Sequence, residues 1–276
     1  MHVAAPEAPR RPLGIPRVGC CIWLASLVDD ERSVKDILDE LAEDAEAVRC
    51  RSEFCDTTTQ WLRRIGQVLR VTGYIAGPDR ASGSSPFGFA NDRAVGIATV
   101  AQISGELSAG IIELLKVDNK YSSMALVRQL VEVEYLAHAF SLNSETAESW
   151  LRANREERRS FWSPVKLRKR SDGVFLDSDY WEHCERGGHP TTAAMDLLPK
   201  HRGPSAGYIW VDYAGHLAGI WRGVKSVAEE LLEGPVPAEW KLPDVESARR
   251  QWMEADGLYA ALTDLGRRLR EPDQSQ

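Results

Sequence analysis

Cysteine, long apolar runs and glycine-rich catalytic motifs are all scarce in this sequence. The 276 residues include five cysteines, an odd number at a length where a disulfide scaffold is not expected, so reduced thiols are predicted. The apolar run at residues 18–28 has 11 residues, and a bilayer span needs roughly 20. No phosphate-binding loop, Gly-x-Gly-x-x-Gly or Gly-x-Ser-x-Gly motif is present. These absences argue against nucleotide kinases, dinucleotide dehydrogenases and α/β-hydrolases.

An overall excess of basic charge is also missing. The 34 basic and 41 acidic residues give a formal charge of −7, which argues against a wholly basic nucleic-acid binder but allows a local basic patch. The charges are segregated: residues 29–46 hold nine acids and two bases, whereas residues 152–170 hold eight bases and two acids. Residues 152–170 are therefore a local basic segment in a chain whose net charge is negative.

Apolar periodicity predicts a mainly α protein, a helical bundle built around a central long antiparallel helix pair. Residues 93–117, rich in small side chains, and residues 121–142, apolar nearly all round, form this pair. The other predicted helices span residues 29–49, 52–76, 144–163, 191–198, 208–232 and 244–270. Residues 77–91 have the composition of a loop and are the candidate for a mobile lid.

The same pattern predicts four parts along the chain. They are an N-terminal arm with a short apolar segment (1–28), an acidic helical extension with its loop (29–92), a helical core (93–235), and a C-terminal helix with a tail (236–276).

The middle of the chain resembles a known group of helical proteins. The resemblance is carried by Tyr121-Ser-Ser-Met-Ala-Leu-Val-Arg-Gln-Leu-Val-Glu132, by the aromatic helix ending at Trp150-Leu151-Arg152, and by Tyr180-Trp-Glu-His-Cys-Glu-Arg-Gly-Gly-His-Pro190. These residues are similar to bacterial all-helical families related to HEPN-type and abortive-infection proteins. The resemblance covers residues 90–235 and implies a HEPN-like fold, a homodimer, and RNA binding or ribonuclease activity in stress or phage defence.

The chain departs from the HEPN nuclease motif. Those ribonucleases carry an arginine five to seven residues before a histidine, and none of the six histidines here has one. The resemblance therefore implies the fold more than the nuclease activity.

A candidate catalytic centre combines Arg128, Glu132, Arg186 and His189. Arg128 and Glu132 lie one helical turn apart, and Arg186 and His189 flank a Gly-Gly turn. Arginine can stabilise phosphate charge and imidazole can move a proton near neutral pH, as RNA cleavage requires. The alternatives are a structural Arg–Glu pair and a turn histidine in a non-catalytic interaction protein.

The basic segment supplies candidate nucleic-acid contacts. They are Arg152, Arg155, Arg159, Arg168 and Arg170, interleaved with Phe161 and Trp162. Basic charge suits phosphates and aromatic rings suit unstacked bases. Docking of this face on the acidic residues 29–46 is the competing interpretation.

No metal or cofactor is predicted, although one alternative is open. Glu134 and His138, like Asp212 and His216, are spaced i, i+4 on long helices, as in bundles that hold two metal ions. The usual Glu-x-x-His repeat is absent, so a di-iron type oxygenase stays an alternative. The primary prediction is a cytoplasmic protein with RNA as a partner, a possible homodimer, and no membrane contact.

Overall fold

The computed structural model describes residues 44–199, 206–232 and 245–268. This part of the chain is mainly helical and contains no strand, as the apolar periodicity predicts. Its α-helices are α1 (Ala45–Ile75), α2 (Asp79–Ser82), α3 (Asp92–Lys116), α4 (Lys120–Leu142), α5 (Glu145–Arg152), α6 (Arg155–Phe161), α7 (Pro164–Arg170), α8 (Asp177–His183), α9 (Ala206–Leu232) and α10 (Val245–Arg268). A π-helix (Cys184–Gly188) and a 3₁₀-helix (Thr192–Leu197) follow α8.

Helix α1 runs straight through a predicted break. Its N-terminus is capped by Asp44, whose side chain accepts from the Ala47 N–H at 2.7 Å. The predicted boundary between residues 49 and 52 is wrong, because Cys50 and Arg51 are buried and continue the apolar face of one helix. Predicted features at 1–43, at Gly234-Pro235 and in the C-terminal tail lie outside the described residues.

The predicted central hairpin is formed by α3 and α4. Asn91 caps α3 and Asn119 caps α4, and each side chain accepts from the backbone N–H three residues later. Small residues let α1 cross α3 closely: a Cβ at Gly66 would lie 3.1 Å from the Ala98 carbonyl oxygen. The expectation of a tightly packed small-residue helix is therefore confirmed.

One hydrophobic cluster holds the long helices together. It includes Phe54 and Trp61 of α1, Tyr135 of α4, Trp221 of α9 and Ala255 of α10. Residues from the predicted extension, core and C-terminal parts thus share one apolar interior. The cysteines in the described ranges, Cys50, Cys55 and Cys184, are buried free thiols, as predicted.

One helix of the described chain, α3, is long and apolar enough to cross a membrane. Its best 18-residue window has a mean hydropathy of 1.4, and 61% of that window is buried inside the protein. This burial is what a core helix of a soluble protein shows.

The segment after α4 is more broken than the periodicity predicts. The single helix expected up to residue 163 is two helices, because Asn154 starts α6 with a capping box: its side chain accepts from Glu157 N–H, and Glu157 accepts from Asn154 N–H. The predicted short helix at 191–198 is present as the 3₁₀-helix Thr192–Leu197. The predicted break at the Gly-Gly pair is the end of the π-helix.

The predicted lid is anchored at several points. The Ala90 and Asn91 N–H groups donate to the Gly73 carbonyl at 2.9 and 2.8 Å, and Asp79 accepts from the Asp92 N–H at 2.8 Å. Residues 79–82 form the short helix α2. These bonds fix the loop against the start of α3.

Candidate functional site

Arg128, Glu132 and Tyr180 form a closed triangle of polar contacts. Arg128 Nη2 lies 2.8 Å from Glu132 Oε1 and donates to the Tyr180 hydroxyl at 3.0 Å, and that hydroxyl donates to Glu132 at 3.3 Å. The Arg128 and Glu132 side chains are 21% and 31% exposed to solvent. The pair is half-buried, and its partners lie within the protein.

Arg186 and His189 are not joined to this triangle by any contact within the described residues. Arg186 pairs with Glu182 at 3.1 Å and lies over the Tyr208 ring. His189 is exposed, and its imidazole makes no hydrogen bond in this part of the chain. The π-helix that carries Arg186 nevertheless packs on Arg128, since a Cβ at Gly188 would lie 2.7 Å from Arg128 Cδ. Among the described residues, no hydrogen bond or ion pair joins Arg186 or His189 to Arg128 and Glu132.

Removing both members of the half-buried pair tests its role. We expect Arg128→Met with Glu132→Leu to change the free energy of unfolding by less than about 1 kcal/mol, because no unpaired charge is left behind. Urea unfolding followed by circular dichroism measures this. Arg128→Met alone is the comparison, and a double variant that loses several kcal/mol would contradict a modest structural role.

The five arginines predicted to bind nucleic acid divide into internal and external groups. Arg152 lies 2.6 Å from Asp92 and also contacts Glu148 and Asp79. Arg168, 4% exposed, pairs with Asp177 at 2.9 Å and lies 4.0 Å over the Tyr180 ring. These two guanidinium groups are held inside the protein by carboxylates.

Arg155, Arg159 and Arg170 lie at the surface, among further exposed cations. We call this surface the cationic face; it consists of Arg155, Arg158, Arg159, Lys166, Lys169 and Arg170. Arg170 stacks on Trp162, with 5.3 Å from its guanidinium carbon to the ring centroid. The others form no ion pair with the described residues. Phe161 beside them is 57% exposed.

A groove of about 640 Å³ runs beside this face. Its lining mixes aromatic, basic and acidic side chains and includes Phe161, Trp162, Arg170, Glu145 and Glu157. Arg152 also lines it, with its charge already paired to carboxylates. Apart from Arg170, the cations of the cationic face lie outside this groove.

A second polar group lies in the interior, between α4, α8 and α9. We call it the histidine–carboxylate cluster; it consists of Glu134, Asp179, His183, Asp212 and His216. His216 Nδ1 donates to Glu134 at 2.7 Å, and His183 Nε2 lies 3.0 Å from Asp212. The two imidazole rings are 4.9 Å apart.

Burial and charge shift the pKa values in this cluster in opposite directions. Burial raises the pKa of the Glu134 carboxyl. Burial also works against protonated imidazoles, yet the neighbouring carboxylates outweigh it and raise the pKa of both His183 and His216. The two histidines lower the pKa of Asp212 against the effect of its burial. The cluster is strongly coupled.

Sequence spacing found three members of this cluster and missed two. Glu134, Asp212 and His216 were candidates, but His138 is wrongly paired with Glu134: its ring packs edge-on against Phe175 at 5.2 Å, and burial lowers its pKa. His183 takes its place, with Asp179 one turn earlier on α8. The i, i+4 spacing of Asp179 and His183 was the available signal.

No family model, curated protein or solved structure matches this chain.

Proposed function

We propose that this protein is a cytoplasmic RNA-binding protein that holds a single strand on its cationic face. The observation that carries the proposal is a set of exposed cations, none of which forms an ion pair with a described residue, beside the exposed Phe161 and the partly buried Trp162. Oppositely charged phosphates complement the cations, and unstacked bases complement Phe161 and the Trp162–Arg170 pair. The net charge of the whole chain is −7. Because the chain as a whole repels phosphates, RNA binding depends on this local basic surface.

A single strand fits this surface better than a duplex. Reading a duplex requires an element that enters a groove, whereas α6 and α7 have seven residues each, about 10 Å of helix. The groove instead places the exposed Phe161 beside the Trp162–Arg170 pair, an arrangement that suits bases that are already unstacked.

Docking of the cationic face on the acidic residues 29–46, the competing interpretation, stays a prediction, because residues 29–43 lie outside the described part of the chain.

Binding, without cleavage, is what the arrangement of side chains supports, because Arg186 and His189 are not assembled with Arg128 and Glu132. The HEPN-type relationship, the homodimer and the role in phage defence stay predictions. A ribonuclease would need these four residues to meet in a different conformation.

Charge removal tests the RNA-binding proposal. We expect the full chain to bind a fluorescent 12-nucleotide RNA with a negative salt slope, and Arg155→Ala/Arg158→Ala/Arg159→Ala to reduce that slope by about 2. Fluorescence anisotropy between low and moderate salt measures both. The reduction reflects three lost phosphate contacts at about 0.7 each.

The matched control removes exposed cations elsewhere. Arg70 on α1 and Arg250 on α10 are exposed, so Arg70→Ala/Arg250→Ala should leave affinity and slope unchanged. Equal weakening by both variants would show a non-specific charge effect, and no RNA binding by the unaltered chain would refute the proposal.

A further inference from the structure

The histidine–carboxylate cluster has a feature that internal packing alone does not explain. Glu134, His183 and His216 are 3%, 3% and 1% exposed, and burying so many ionisable groups costs free energy unless each has a partner. His216 Nε2 is nevertheless buried without any hydrogen-bond partner in the described structure. This nitrogen points towards Asp212, whose Oδ1 lies 3.5 Å away.

Both histidines are held in the orientation of metal ligands. In each ring the Nδ1–H donates to an oxygen acceptor: His216 to the Glu134 carboxylate at 2.7 Å and His183 to the Asp179 carbonyl at 2.8 Å. Proteins commonly hold metal-bound imidazoles this way, because the hydrogen bond fixes the ring and its tautomer. Nε2 is then the atom left to bind an ion.

The two Nε2 atoms face the same carboxylate at separations that suit ligands of one ion. They lie 3.0 Å (His183) and 3.5 Å (His216) from the two oxygens of Asp212. Ligands about 2.0–2.2 Å from a tetrahedral ion are about 3.4 Å from each other. Asp179 approaches the other nitrogen of the His183 ring, with 3.8 Å between its Oδ1 and Nδ1, and one of its oxygens lies within 4.8 Å of a nitrogen of each histidine.

Charge favours a cation at this point. Three carboxylates, those of Glu134, Asp179 and Asp212, surround the two imidazoles in a largely buried space. A divalent cation bound to the Nε2 atoms would take the place of the Nε2 proton of His183 and add one positive charge that faces these carboxylates. The Asp179 and Asp212 side chains are 11% and 14% exposed, which gives an ion a way in.

We propose that His183, His216 and Asp212 bind one divalent transition-metal ion through Nε2, Nε2 and carboxylate oxygen, which leaves one position open at a tetrahedral ion. When the ion binds, the proton that His183 Nε2 donates to Asp212 leaves to solvent. Two imidazoles and one carboxylate suit Zn²⁺, Mn²⁺ or Fe²⁺. Glu134 is a positioning residue, because it contacts His216 Nδ1 and not the ion.

One ion fits better than two. A dinuclear centre in a bundle takes several bridging carboxylates and a histidine for each ion. Here Glu134 is engaged by His216, and His138 packs on Phe175 outside the cluster. The donor set therefore suffices for one ion.

Metal titration of the full chain tests this proposal independently of RNA binding. After chelator treatment and dialysis, we expect the protein to take up one equivalent of Zn²⁺ and, separately, of Co²⁺, measured by calorimetry and by the visible absorption of bound Co²⁺. Elemental mass spectrometry of the untreated protein should detect a bound transition metal, at up to one ion per chain.

Three variants define the ligands. His183→Gln and His216→Gln should abolish uptake at concentrations that saturate the unaltered protein, whereas His138→Gln, a half-buried histidine on α4 outside the cluster, should bind normally. Circular dichroism verifies that each variant folds. No uptake of either ion by the unaltered protein, or an equal loss in His138→Gln, would overturn the proposal. Neither result affects the RNA titration.

Discussion

Arg152→Met is expected to lower the free energy of unfolding by about 3–5 kcal/mol. Arg152 is the only cation whose contacts with the fully buried Asp92 are seen in the described structure, and it also contacts Glu148 and Asp79. Without it, the Asp92 carboxylate stays in the interior with the Ser85 hydroxyl and cannot be neutralised by a neighbouring charge. Methionine keeps most of the side-chain volume, so the loss is mainly electrostatic. Urea unfolding measures it.

The control for this variant is an arginine of the cationic face. Arg159→Met, at an exposed position that forms no ion pair with a described residue, should change stability by no more than about 0.5 kcal/mol. It should instead weaken RNA binding. The opposite pattern, with Arg152→Met stable and deficient in RNA binding, would restore Arg152 to the interface that the sequence predicts.

The contrast between these two arginines shows what a count of charges cannot reveal. Arg152 and Arg159 belong to the same basic segment, but a partner 60 residues away, Asp92, draws one of them inside. Such a contact depends on how α5 packs on the start of α3. Local composition predicts that the segment is cationic, and only tertiary contacts decide which cations face solvent.

The long helices were predictable because their signals are local. The predicted helices at 93–117 and 121–142 correspond to α3 and α4 within one residue at each end, since apolar periodicity and the caps Asn91 and Asn119 lie within the segments themselves. The errors fall at helix boundaries. The sequence predicts a break at 49–52 where one helix continues, and it predicts none at Asn154, where a capping box with Glu157 could have indicated the start of α6.

The histidine–carboxylate cluster was only partly predictable for a different reason. Helical spacing places Glu134 and His138 on the same face of α4, one turn apart, so the point at which α8 and α9 meet α4 decides which side chain joins the cluster. Glu134 contacts His216, and the histidine that completes the group, His183, comes from α8. The point of contact between helices is set by packing, and here close packing depends on a glycine of α9.

That glycine provides the second large effect: Gly219→Ala is expected to lower the free energy of unfolding by about 3 kcal/mol. A Cβ at this position would lie 1.8 Å from Glu134 Oε1 and 2.6 Å from its carboxyl carbon. Overpacking of this kind costs about 1–3 kcal/mol. Displacing the carboxylate would also break its hydrogen bond to His216, worth about 1.5–3 kcal/mol for a charged partner.

Gly257→Ala is the matched control, and its effect should have the opposite sign. Gly257 lies on the exposed side of α10, and a Cβ there meets nothing within 4 Å. Alanine in a helix interior restricts the unfolded chain and should stabilise by about 0.4–1 kcal/mol. The same unfolding experiment on both variants separates the clash from the general effect of removing glycine.

Metal affinity then distinguishes a packing defect from a displaced positioning residue. If Glu134 orients His216 for an ion, Gly219→Ala should weaken Co²⁺ binding about 10- to 100-fold while Gly257→Ala leaves it unchanged. The displaced Glu134 carboxylate no longer fixes the His216 imidazole, so His216 Nε2 is no longer held facing Asp212. A destabilised Gly219→Ala protein that binds Co²⁺ with unaltered affinity would show that Glu134 supports the fold alone, because the ligands would then hold their positions without it.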